Sequence, residues 1–188
     1  MKDDLKQEAL FEATVKRVNE IGFAASSVSK IAQEANVSPA TIYVYYKDKE
    51  DLLVSTYIRI KQHMSEAVLS DLDTDQPIRD IMRKAWLNLF EYTSNYPDYF
   101  QYAEQFANTP FIELVDAAEV EKYFDPLLNI LHRGIEEKII KNVNFDILSA
   151  FVFYPPIFLS NSRLCKNLDL SRENIEIAFT LAWDAIKL

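Results

Sequence analysis

Residues 26–49 read SSVSKIAQEANVSPATIYVYYKDK, and their types and spacing promise chemistry. Val28, Ile31, Ala32 and Ala35 recur at helical spacing, with Ser26 or Ser27 placed to cap their helix. Asn36, Val37 and Ser38 interrupt that pattern, and Ser38-Pro39 opens a second short helix. Serine is a good N-cap there, and proline at the next position lacks only an N–H that would be unpaired anyway. Two short helices across a three-residue turn make a helix-turn-helix, whose second helix enters the major groove of DNA. The phase of that helix turns Val37, Ile42 and Tyr46 inward and leaves Pro39, Ala40, Thr41, Tyr43, Val44 and Tyr45 outside. Small and hydroxyl-bearing groups suit base edges and thymine methyls, while tyrosine hydroxyls suit phosphates. Lys49 stands at the start of the following helix, where the macrodipole disfavours a cation. Free backbone N–H groups plus an ammonium at such an end nevertheless hold a phosphate. Lys47 lies close by in the connecting turn. The plainer alternative makes both lysines solvated linker residues, balanced by Asp48, Glu50 and Asp51.

The elements that must position these groups are helices. A first helix fits residues 4–21, with Phe11, Val15 and Val18 on its apolar face and Gly22 at its end. A long helix fits 48–69 and another starts at Pro77, with Ile78, Ile81, Met82, Ala85 and Leu89 as its stripe. A segment over 98–108 follows the break at Tyr96-Pro97. Further helices fit 112–124, 126–140, 146–160, bent or broken at Pro155-Pro156, and 171–187. The last carries Ile175, Ala178, Phe179, Ala182, Trp183 and Ile186 at helical spacing. No strand, repeat or low-complexity run is evident.

Composition narrows the classes. The chain has 188 residues, about the length of one or two domains, and 49% of them are hydrophobic, enough for a real core. Gly22 and Gly134 are its two glycines, against an average near 7%. That shortage disfavours Gly-rich phosphate loops and turn-rich sandwiches. With one cysteine, Cys165, and two histidines, His63 and His132, neither an internal disulfide nor a Cys/His metal cluster is expected. No metal or cofactor is predicted. The longest uncharged run, between Asp146 and Arg163, holds 16 residues and includes two prolines, short of the roughly 20 that span a bilayer. The N-terminal residues have no secretory pattern, so a soluble, cytoplasmic chain with no membrane partner is expected. The net charge of −9 is uneven: residues 1–63 carry nine basic and nine acidic groups, and residues 64–188 carry the whole excess. Such asymmetry suits two parts with different partners.

Residues 5–60 resemble the DNA-binding domain of the TetR/AcrR family of transcriptional regulators. The resemblance rests on Gly22, Ser26-Ser27, Ile31-Ala32, Ala35, Val37-Ser38, Thr41-Ile42-Tyr43, Tyr46, Lys49 and Leu52-Leu53. It implies an all-α chain in which a three-helix DNA-binding head, residues 1–48, precedes a larger helical ligand-binding and dimerisation domain, residues 49–188. It further implies a homodimer that binds a palindromic operator on double-stranded DNA, usually as a repressor, and is released by a small-molecule effector. Carried over by position, Ser27 contacts phosphate, Ala40, Thr41 and Val44 approach base edges, Tyr43 and Tyr45 reach phosphates or bases, and Lys49 pins the backbone beside Lys47. The sequence departs from the family pattern at Asn36, where glycine is usual, at Tyr46 for phenylalanine, and at Ser26-Ser27 for paired threonines. Basic residues are sparse, which implies modest non-specific DNA affinity.

The remainder of the chain carries no such motif. Its middle is rich in aromatics, and Trp86, Phe90, Tyr99, Tyr102 and Phe106 are candidates for an effector pocket as well as for the core. The negative field of residues 64–188 and the ring faces favour an apolar or cationic effector. Arg79, Arg83 or Arg133 inside a pocket would reverse that preference. The last two long helices offer Phe151, Phe158, Phe179, Ala182, Trp183 and Ile186 as a dimer interface. Two rival readings are a helical interaction protein that no longer binds DNA, and an enzyme. For the enzyme, no nucleophile–base pair or phosphate loop is visible.

Overall fold

A computed structural model of the chain describes residues 2–188. Its elements are α1 (Lys2–Ala25), α2 (Val28–Glu34), α3 (Pro39–Tyr45), α4 (Lys49–Leu69), α5 (Ile78–Asn95), α6 (Pro97–Ala107), α7 (Ala117–Glu121), α8 (Asp125–Glu136), α9 (Phe145–Val152), α10 (Tyr154–Ser160) and α11 (Arg172–Ile186). Two short 3-10 stretches, Pro110–Leu114 and Lys122–Phe124, flank α7. Among the described residues the only extended pairing is a single bridge between Ile140 and Lys187. The chain is all-α, as its periodicity and glycine shortage imply. One expected helix comes out differently, and another breaks as its prolines imply. The pattern over 112–124 breaks into short turns, because Pro110 starts a 3-10 stretch and Asp116 begins a new turn by accepting from the N–H of Ala118. The helix expected over 146–160 breaks at Phe153, just ahead of the two prolines that cannot donate into a continuing ladder.

The chain divides into two compact units. One comprises the chain up to Gln62 together with Asp98–Val120, and the other comprises His63–Pro97 with Glu121–Leu188. In the first unit, Leu10, Ala13, Ile31, Ala32, Ile42 and Leu52 form one buried cluster, joining α1, α2, α3 and the start of α4. A second cluster brings α6 to α1 and α4: Tyr102 and Phe106 pack on Phe11, Phe23, Leu53 and Tyr57. The Tyr102 hydroxyl donates to the Leu53 carbonyl at 2.9 Å, and the Tyr57 and Phe106 rings stack at 4.5 Å. That burial pushes the Tyr102 hydroxyl's pKa far above its ordinary value.

In the second unit the apolar stripe of α5 is the centre. Ile78, Ile81, Met82, Ala85, Trp86 and Leu89 meet Leu127, Ile130 and Leu131 of α8, Leu148 and Val152 of α9, and the inner face of α11. The end of α11 is tied down by the strand-like bridge, in which Lys141 N–H donates to Ile186 and Leu188 N–H donates to Ile139, each at 2.9 Å. Arg83 pairs with Glu176 between α5 and α11.

Candidate nucleic-acid interface

The helix-turn-helix is assembled by local bonds that its sequence supplies. Gly22 takes φ 79° and ψ 165°, a left-handed conformation that kinks α1 one turn before its end. Ser26 is fully buried and returns its hydroxyl to the Gly22 carbonyl at 2.7 Å. Ser27 then caps α2 by accepting from the Lys30 N–H. At the far end of α2, Asn36 sits at φ 55°, and the Val37 N–H reaches back to the Ala32 carbonyl at 2.9 Å. This is a left-handed C-terminal cap, made with asparagine in the place of glycine. Ser38 caps α3 by accepting from the Thr41 N–H, and its hydroxyl lies 2.9 Å from that of Thr41.

The result is a short helix with one face sealed and one face open. Ile42 is wholly buried, while Pro39 and Ala40 are exposed. Tyr43 is 58% exposed and Val44 75%, unusual values for side chains this apolar. Thr41 is half-buried at the rim. Tyr45 differs from the expected phase. Its ring packs against the buried cluster of the head, and its hydroxyl donates to Asp3 at 2.9 Å. That hydrogen bond raises its pKa above the ordinary 10.0. One position past the exposed Val44, the helix has rotated Tyr45 back toward α1, so it braces α3 instead of standing free.

The lysines also divide. Lys47 is exposed, and its N–H donates to Asp51 at 2.8 Å while the Asp51 N–H donates to Asp48 at 2.8 Å. Asp48 thus caps the start of α4, and Asp51 reaches back one residue further to hold the turn. Lys49 is half-buried and donates its ammonium to the Phe23 carbonyl at 2.7 Å, and burial lowers its pKa. It ties α4 to the end of α1, leaving its other two N–H bonds for a further acceptor. Elsewhere on the head Lys16 pairs with Glu34 at 2.5 Å, Arg17 with Glu20 at 2.8 Å, and Arg59 with Glu8. The exposed Ser27, Ala40, Tyr43, Val44 and Lys47 and the rim group Thr41 are therefore placed to meet a ligand directly.

The other candidate residues fall differently. Trp86 and Phe90 stack in the second unit at 6.2 Å, whereas Tyr99, Tyr102 and Phe106 belong to the first. Tyr99 packs edge-on to Phe11 and donates to Glu12. Closeness along the chain thus does not join the five into one wall within either unit. The Trp86 indole N–H is buried without a hydrogen-bond partner. Of the expected interface residues, Phe151 is 56% exposed and Phe158 also stands out, but Phe179, Ala182, Trp183 and Ile186 are buried against α5. Those four are corrected to core: α11 is one short helix needing its strongest stripe to close its own unit. What α11 exposes is the opposite face, Ile177 and Leu181, and Ile147 and Tyr154 join Phe151 and Phe158 on α9 and α10.

Comparisons with known proteins agree with this architecture. Residues 10–56 match the family described as bacterial regulatory proteins, tetR family, and residues 77–187 match the tetracyclin repressor-like C-terminal domain. The chain is 25% identical over 186 residues to an HTH-type transcriptional regulator of Haemophilus influenzae, covering 99% of this chain and 97% of that protein. It is 38% identical over 68 residues to the HTH-type transcriptional regulator BetI of Yersinia pestis, covering 36% of this chain and 34% of BetI. The solved structure of a TetR family transcription regulator from Marinobacter aquaeolei superposes with a TM-score of 0.91 at 36% identity, covering 99% of this chain and 97% of that one.

Proposed function

The chain belongs to the TetR family of DNA-binding transcriptional regulators, which are not enzymes, and from that premise we propose a repressor that binds a palindromic operator as a homodimer and releases it on binding a small effector. The observation that carries this reading is the open face of α3, where Ala40, Tyr43 and Val44 stand exposed on a helix capped at its start and sealed by Ile42 behind. Ala40, Thr41 and Val44 read base edges and methyl groups, Tyr43 reaches a base or phosphate, and Ser27, Lys47 and Lys49 hold the backbone. Tyr45 contributes by fixing the helix against Asp3.

A palindrome requires two heads about 34–36 Å apart, one helical turn, or a multiple of it. The exposed side chains of α9, α10 and α11 supply a self-complementary apolar face for the pairing. Effector release follows from preference: a ligand that binds the non-operator state more tightly shifts the population by that difference. α4 contributes residues to both units and is the element through which such a shift travels. The effector is apolar or cationic, in keeping with the excess of acidic groups in residues 64–188. No helix among the described residues is long and apolar enough to cross a membrane, and a cytoplasmic location goes with DNA as the proposed partner.

The test is selection of bound duplexes from a random pool with the full chain. A palindrome should be enriched, and its complex should contain two chains. Recovery of no preferred sequence would overturn the reading.

A further inference from the structure

The turn after α8 leaves a cavity in the second unit. α8 ends at Glu136, Lys138 takes a left-handed φ of 57°, and the chain returns past Ile140 into α9. Gly134 permits that close return, since a Cβ there would stand 2.7 Å from the Ile140 Cδ1. Between helix and returning segment lies a cavity of about 290 Å³, at the lower edge of the roughly 300–1,000 Å³ typical of small-molecule sites.

Its apolar walls are Leu128, Leu131 and Ile135 on one side and Val143, Phe145 and Leu148 on the other. Three polar residues complete the lining: His132, Glu136 and Asn142. Glu136 follows His132 by one helical turn, so both project from the same face of α8. The neighbouring cation, Arg133, is turned away toward Glu137 and the Thr74 carbonyl. Glu136 is thus the one carboxylate on the lining, set against a mostly hydrocarbon wall. An anionic ligand would meet the like charge of that carboxylate, whereas an ammonium gains a charge-assisted hydrogen bond there. The space suits one small molecule and not a peptide segment. On α9, the cavity takes Phe145 and Leu148, while Ile147 and Phe151 occupy a different face. An occupant of the cavity therefore leaves the outer apolar face of α9 uncovered.

We propose that this cavity binds a small organic amine, its ammonium at Glu136 and its apolar body between Leu131 and Phe145. The regulatory meaning of the site rests on the reading above, but the binding does not.

Calorimetric titration of the full chain with hexylamine, hexanol and hexanoate tests it without DNA. Hexylamine should bind saturably and more tightly than hexanol, and hexanoate should bind most weakly. Glu136→Gln, at an exposed position, should weaken hexylamine about tenfold, toward hexanol, by removing the charged acceptor. Val143→Trp, at the exposed rim, should fill the cavity and abolish binding of all three, with circular dichroism confirming an unchanged fold. The proposal is overturned by hexanoate binding as tightly as hexylamine, by no saturable amine binding, or by Glu136→Gln or Val143→Trp leaving that binding intact. A chain that binds hexylamine but selects no operator would leave the site standing and remove the regulator reading.

Discussion

Two parts of the molecule expose large apolar side chains, and they are built differently. On α3 the exposed groups are Tyr43 and Val44, framed by serine caps, a threonine and a lysine-bearing turn. On α9, α10 and α11 they are Ile147, Phe151, Tyr154, Phe158, Ile177 and Leu181, spread over three helices with few charges between. The first is a small patch whose polar frame suits the mixed chemistry of a DNA groove. The second is an extended hydrocarbon surface suited to another protein surface of its own kind. The partners proposed for the two places differ accordingly, DNA for the first and a second copy of the chain for the other.

The sharpest way to break the comparison is to show that an inner face does the work of an outer one. Phe179→Ala, on the buried side of α11, should cost about 3–5 kcal/mol of stability, the range for deleting a core phenylalanine. Chemical denaturation checks this, and a near-zero change would return Phe179 to the surface. Phe151→Glu with Leu181→Glu, on the outer side, should leave the monomer's spectrum unchanged and abolish self-association. Sedimentation at micromolar concentration should then show a single species of 21.8 kDa, whereas the unaltered chain should show twice that mass.

A smaller effect is expected at the head. Tyr43→Ala should weaken selected DNA by about 1–3 kcal/mol, the scale of a good base contact, with little change in melting temperature. Unfolding of the head instead would mean that the ring packs inward. Smallest of all, Tyr45→Phe should slightly lower stability at neutral pH by losing the bond to Asp3. Because that bond raises the Tyr45 pKa, its contribution is fully present below the ordinary value of 10.0 and is lost as pH rises through the raised one. The variant should therefore show a shallower alkaline loss of stability than the unaltered chain.

Local chemistry explains what was legible beforehand. Ser27, Asn36, Ser38 and Pro39 each act within three or four residues of themselves, so caps, turn and helix phase of the motif could be read directly. The burial of Ile42 and exposure of Tyr43 and Val44 followed from that phase. Tyr45 could not be read this way, because its partner Asp3 lies 42 residues away. Lys49 likewise meets a carbonyl 26 residues back.

The all-α class, the helix-turn-helix and the regulator family can be read from the order of residues, because helical period, capping and spacing are short-range properties. Which apolar stripe became core and which surface depended on long-range packing. On α11 both faces carry hydrocarbon, and the choice went to Phe179 and Trp183 because α5 offered Trp86, Met82 and Ala85 to cover them. Folding also made Tyr102 and Phe106 close the N-terminal unit while Trp86 closes the other, since side chains 16 and 20 residues apart along the chain are sorted by the partners folding brings within contact distance.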